Sequence, residues 1–230
     1  MRTLKPNIER PRLDFVPQKF KDKTIEKGYD ITWEKMLLCP CRKDITTQAK
    51  SDCINCNGTG YHWFDPIETI GLISSVAVQK RFLQWTEDLM GTAMMTINPE
   101  YKIGWMDKIT VNSAETMYSE VCEVFEQDAL LYIRTKYIPL EVIGLFEFVA
   151  VNEALNSLEN QIETNGYVSK ILAPVQSGDS ISILYKHRPV YLVNDTMNDY
   201  RNTYVKKGMI VDTNKTMPIR VMIKKAHLLL

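Results

Sequence analysis

No charge of one sign dominates this sequence. Its 28 lysines and arginines are matched by 28 aspartates and glutamates. A dedicated nucleic-acid binder rests its affinity on excess Lys and Arg facing phosphates, so the balance argues against that class and leaves room only for a local basic patch. It also means that association with other protein surfaces meets no long-range charge barrier. Histidine is scarce, with three residues. His187 stands between Lys186 and Arg188 and reads as a solvated strand-end residue rather than a general base. His227 falls in an end segment of a kind that is often mobile. No apolar run approaches the ~18 residues of a membrane span. The opening M-R-T-L-K-P-N-I-E-R has no apolar core of a secretory signal, so no membrane association and a thiol-reducing compartment are expected.

Motifs of catalysis are missing as well. There is no G-x-G-x-x-G fingerprint, no G-x-x-x-x-G-K-[ST] phosphate loop, no G-x-S-x-G elbow and no H-E-x-x-H pair. The H-x-E…P-C-x-x-C deaminase pattern fails, because Pro40 lies between two cysteines and no H-x-E accompanies it. An enzyme and a small-molecule substrate therefore have no positive support, and no catalytic residue is expected.

What the chain does have is a tight group of cysteines. Cys39 and Cys41 form C-P-C; Cys53 and Cys56 form C-x-x-C and run directly into N-G-T-G-Y. Four thiolates at this density suit a closed tetrahedral site, and Zn²⁺ is the ion that prefers four such ligands with no open position. Gly58 and Gly60 would let the backbone fold back under the sulfurs at positive φ. Two disulfides are the competing reading, disfavoured by the missing signal segment. C-P-C is one residue shorter than the usual C-x-x-C, which departs from regular ribbon geometry, and His62 stands close enough in sequence to replace one thiolate. The fifth cysteine, Cys122, sits in an alternating apolar run and reads as a packing residue.

The chain reads as mainly β with some helix (α+β): a small β-barrel or sandwich, an N-terminal extended arm and a zinc-knuckle loop. Four segments are expected. Residues 1–30 are an extended arm or a disordered leader, with Pro6, Pro11 and Pro17 and no clear period. Residues 31–65 are the knuckle segment, in which Tyr61 and Trp63 cap the small core or, less favoured, stack on bases. Residues 66–152 are a barrel-like β region, and residues 153–230 a second β region packing on it. Strands are expected at 69–78, 92–97, 108–111, 117–125, 128–137, 145–151, 167–172, 180–185, 190–193 and 219–223. Residues 80–90 fit a short amphipathic helix or a loop, and 153–164 a helix or a loop before the turn pair Asn165-Gly166.

Three pieces together resemble a known family. They are L-C-P-C-R-K with D-C-I-N-C-N-G-T-G-Y; M-G-T-A-M-M-T-I-N-P followed by W-M-D-K-I-T-V; and S-G-D-S-I-S-I-L-Y-K-H-R-P-V-Y-L-V-N-D with Arg201 just after. This pattern is similar to the head-to-tail connector, or neck, proteins of tailed bacteriophages, which include adaptor and stopper rings. The middle piece resembles the small β-barrel of head-completion proteins. The resemblance covers well under half of the chain. It implies a structural virion protein without catalytic activity, assembled in the host cytoplasm. Its partners would be copies of itself in a ring, the portal and tail or other connector proteins, and passing DNA without sequence-specific contact. The C-x-x-C-x-G-x-G half also resembles the zinc repeats of J-domain co-chaperones, but those carry several repeats and this chain carries one. A zinc-knuckle adaptor for protein or nucleic acid is the alternative, and it requires a basic, aromatic face near the cysteines.

Overall fold

The computed structural model describes residues 17–42, 48–50, 53, 55–56, 58–75, 91–98, 100–149, 154–158, 161–196 and 219–229. They form a mainly β protein. Helix α1 (Pro17–Lys27) precedes fourteen strands: β1 (Tyr29–Leu38), β2 (Tyr61–Ser75), β3 (Thr92–Ile97), β4 (Lys108–Val111), β5 (Thr116–Glu123), β6 (Phe125–Gln127), β7 (Leu130–Arg134), β8 (Glu141–Val149), β9 (Ala154–Ser157), β10 (Ile162–Asn165), β11 (Val168–Ile171), β12 (Ser180–His187), β13 (Val190–Thr196) and β14 (Ile219–Lys225). A 3-10 turn, Ala226–Leu228, follows and contains His227. Among the described residues no helix is long and apolar enough to cross a membrane.

The strands fall into two compact units. Unit 1 comprises Met1–Thr110 and Val190–Leu230; unit 2 is Val111–Pro189. In unit 1, strands in the order β1-β2-β3-β14-β13-β4 close into a barrel. Side chains at alternating strand positions line its interior. Ile31 and Trp33 on β1, Met95 and Ile97 on β3, Ile109 on β4, and Val221 and Ile223 on β14 are all buried. Each such aliphatic side chain contributes about 1.5–3 kcal/mol by leaving water. Gly71 on β2 makes the space: a Cβ there would lie 2.8 Å from Ile31 Cδ1 and 3.3 Å from Met95 Sδ.

The long hairpin β1–β2 carries a bulge. Trp33 pairs with Ile67 and Lys35 with Phe64, so Glu34 faces both Asp65 and Pro66. Asp65 takes a positive φ of 56°. The extra residue explains how a proline sits within a strand, since it need not donate to the ladder there.

The described residues of unit 2 form two four-stranded antiparallel sheets, β5-β12-β8-β9 and β10-β11-β7-β6. On β12 burial alternates strictly, with Ile181, Ile183, Tyr185 and His187 inward. Tyr185 donates its hydroxyl to Glu120 Oε1 at 2.6 Å and accepts from the Tyr137 backbone N–H at 3.2 Å. The sheet of β5 and the segment at 135–137 are thereby locked together.

Several expectations are corrected here. The segment expected as an extended arm, residues 1–30, contains α1. Pro17 occupies its first position, where no amide is needed, and Gly28 closes it by donating to Thr24 O at 2.8 Å. Residues 1–16 and the helix-or-loop segment at 80–90 lie outside the described residues. The boundaries at 31, 66 and 153 do not separate units: β1 and β2 of the knuckle segment are barrel strands, and β3 pairs with β14 across the expected boundary. Residues 153–164 contain strands β9 and β10 rather than a helix or a loop alone. His187 is not solvated. It is 4% exposed, and its ring stacks on Tyr137 with centroids 4.0 Å apart.

Candidate metal centre

The four cysteines sit at the tip of the β1–β2 hairpin. Leu38, the last residue of β1, pairs with Tyr61, the first of β2, and the Cys39 N–H donates to Gly60 O at 3.0 Å just beyond. The two strands thus bring the two halves of the motif face to face. Two tight turns present the sulfurs. One is closed by Arg42 N–H to Cys39 O at 2.9 Å, the other by Thr59 N–H to Cys56 O at 3.0 Å. Thr59 reinforces the second by donating its hydroxyl to Cys56 O at 2.6 Å. Gly58 and Gly60 adopt φ of 80° and 77°, the left-handed conformation expected of them.

Cys39, Cys41, Cys53 and Cys56 are all free thiols. Their sulfurs lie within 4.8 Å of one another and could hold a metal ion. Two close separations cross between the halves: Cys39 to Cys53 at 3.7 Å and Cys41 to Cys56 at 3.6 Å. His62 is not part of this convergence among the described residues. It lies one residue into β2, opposite Leu37. Cys122 belongs to unit 2, buried on β5, as its packing role required.

Crowding divides the thiols. At Cys39 the Cys41 backbone N–H favours the thiolate, but burial and the thiols of Cys41, Cys56 and Cys53 outweigh it and push the group up to about 12. At Cys53 the backbone N–H of Cys56 dominates, opposed by burial and helped by that of Asn55, and brings the thiol down to about 7. Four thiolates so close together need a cation between them to coexist.

Aromatic side chains surround the loop. Tyr61 lies edge-on to Trp105 at 6.3 Å, and Trp63 Nε1–H donates to Met106 O at 3.0 Å. Arg42 covers the Tyr61 ring at 4.9 Å and Lys108 the Trp63 ring at 5.4 Å. Lys108 is itself paired with Glu34 at 2.5 Å, and Lys35, beside Trp33, with Asp65 at 2.6 Å.

Sequence reasoning missed Asp107 as a positioning residue. It is 5% exposed. Its carboxylate accepts from Trp33 Nε1 at 2.8 Å, from the Met36 N–H at 2.9 Å and from the Gly104 N–H at 2.7 Å. The strand that delivers Cys39 is thereby fastened to the turn before β4. W-M-D-K-I-T-V held the signal, a lone carboxylate in an otherwise apolar approach to a strand. No protein-family model matches this chain, and no curated protein matches it.

Proposed function

We propose that this protein is a structural virion subunit of a tailed phage, part of the head-to-tail connector ring around the DNA channel, and that its cysteine centre holds a structural Zn²⁺. One observation carries the reading. The two stretches of the middle piece of the resemblance, residues 90–99 and 105–111, contain β3 and β4, which are members of one closed barrel. The hairpin of that same barrel ends in the cysteine centre. This supports an assembly role, in which a rigid barrel presents a stiffened tip to a neighbour.

The donor set favours zinc. Four sulfurs around one Zn²⁺ at Zn–S ≈ 2.3 Å would stand about 3.8 Å apart. The cross-loop separations of 3.7 and 3.6 Å fit that edge. Soft thiolates disfavour Mg²⁺ and Ca²⁺, and elemental analysis separates zinc from iron, which also accepts four sulfurs. The adaptor reading needs cations available beside the aromatics. Lys35 and Lys108 are already held by Asp65 and Glu34, which speaks against nucleic-acid stacking there.

The test is electron microscopy of the purified protein and of particles that contain it, with the subunit labelled. A closed ring on the particle axis is expected. A protein absent from particles that instead shifts nucleic acid in a metal-dependent way would replace this reading by the adaptor.

A further inference from the structure

Burial sorts the four sulfurs of the cysteine centre into two kinds. Cys39 and Cys56 are buried, whereas Cys41 and Cys53 are half-buried. The close contacts across the loop join Cys39 to Cys53 at 3.7 Å and Cys41 to Cys56 at 3.6 Å. Each cross pair therefore sets one accessible sulfur against one that an oxidant in solution reaches poorly. An attacking thiol beside a protected resolving thiol is the arrangement that yields a disulfide rather than an over-oxidised cysteine.

The backbone keeps the pairs opposed. Leu38 pairs with Tyr61, and the Cys39 N–H donates to Gly60 O, so paired strands bring the halves together through bonds that involve no sulfur. Moving two sulfurs from these separations to the ~2.0 Å of a disulfide is a shift of about 1.6 Å. Bridges within a half fit less well. A Cys39–Cys41 bridge would span only Pro40, whose ring fixes φ in an already tight turn. A Cys53–Cys56 bridge would leave Cys39 and Cys41 to each other, so only crossing bridges consume all four thiols without strain. The fifth thiol, Cys122, is buried in the other compact unit.

We propose that the centre is a redox exchange site, in which a peroxide converts the four thiolates into the bridges Cys39–Cys53 and Cys41–Cys56 and the metal ion is released. The inference rests on the metal reading above. In each pair the half-buried thiolate, Cys53 or Cys41, attacks a peroxide oxygen. The O–O bond breaks, hydroxide leaves and a sulfenic acid forms. The buried thiolate, Cys39 or Cys56, then attacks that sulfur, forms the S–S bond and expels a second hydroxide. The two hydroxides take up two protons to give water, and one electron pair has passed from sulfur to peroxide for each bridge. The hairpin tip is thus tied by an ion in a reducing compartment and by covalent bonds in an oxidising one.

Hydrogen peroxide added to the zinc-loaded full-length chain tests this. Zinc release is read with a colorimetric chelator, free thiols by alkylation in denaturant, and bridges by mass spectrometry after partial reduction. About one Zn per chain should be lost together with four of the five thiols, Cys122 remaining. The bridges should be Cys39–Cys53 and Cys41–Cys56, and a thiol reductant with added zinc should restore the loaded site. A chain purified without metal overturns the metal reading, and the exchange with it. Zinc that stays bound, bridges within a half or between chains, or sulfinic acids in place of bridges overturn the exchange and leave the metal reading standing.

Discussion

Trp33 and Asp107 lie 74 residues apart in sequence, and the Trp33 indole N–H donates to Asp107 Oδ2 at 2.8 Å in a buried site. The bond joins β1, on its way to the first cysteine, to the turn that starts β4. Neither side chain is near its partner until the barrel closes, so their contact reports on closure.

Asp107→Ala should therefore cost about 3–5 kcal/mol, because it strands three buried donors at once: the Trp33 indole and the Met36 and Gly104 amides. Asp107→Asn keeps the shape but turns an N–H₂ toward one set of donors and should cost about 2 kcal/mol. Urea unfolding monitored by tryptophan fluorescence measures both. A loss below about 1 kcal/mol for the alanine variant would show that water replaces the carboxylate and that the fastening is dispensable.

Metal removal should act on the barrel hairpin and spare unit 2. Because β1 and β2 belong to the barrel, the loop is tied directly to barrel strands. Cys53→Ser or chelation should speed amide exchange toward the Leu38–Tyr61 end of the hairpin, with β12 amides unchanged. Elemental analysis should find about one Zn per untreated chain and little in the variant. Unaltered hairpin exchange in metal-free protein would show that the ladder alone holds the tip.

Two glycines separate crowding from backbone strain. Gly60 and Gly166 both have positive φ, 77° and 66°. A Cβ at Gly60 would overlap Arg42 Cδ and lie 3.0 Å from Ala49 Cβ, whereas at Gly166 nothing lies within 4 Å. Gly166→Ala should cost about 1 kcal/mol, the left-handed penalty alone. Gly60→Ala should cost more and also weaken metal binding, read by a competitive chelator titration. Equal stability losses with unchanged metal affinity would mean that Arg42 moves aside freely.

Alkaline pH should destabilise unit 2 through two buried acids. Burial, helped by the charge of Glu120, pushes the Cys122 thiol up to about 12. Burial first, then the hydrogen bond to Glu120, raises Tyr185 above the ordinary phenol range. In the unfolded chain these groups ionise near 9 and 10. Above those values the unfolded state binds fewer protons than the native state, so the stability they provide is whole below pH 9 and is lost as pH rises. The stability gap between wild type and Cys122→Ala should narrow above pH 9, and that between wild type and Tyr185→Phe above pH 10. Denaturant titrations from pH 8 to 11 measure both, and gaps that stay constant would contradict the linkage.

The sequence was most legible where a local rule sufficed. Thr92–Ile97 and Lys108–Val111 could be placed to the residue, since alternating apolar side chains and turn residues bound them. Cysteine spacing and two glycines specified the centre because thiolate chemistry and positive φ are local demands. Helix α1 was hidden: its eleven residues include four lysines and have no wide apolar stripe, so prolines and charge read as an arm. His187 was misplaced because flanking charges obscured its inward phase on β12. Pairings such as β3 with β14 leave no local trace, and neither does the gathering of three donors on Asp107.

Thr110 and Val190 are register partners on neighbouring strands of the barrel, and all of unit 2 lies between them. A growing chain completes every strand of unit 2 before β13 and β14 exist. During that interval β3 lacks β14 and β4 lacks β13, and the apolar faces of Met95 and Ile109 have no closed barrel around them. The barrel is therefore the late and exposed partner in synthesis, so slow translation across residues 111–189 is a hazard to unit 1 rather than to the unit being made.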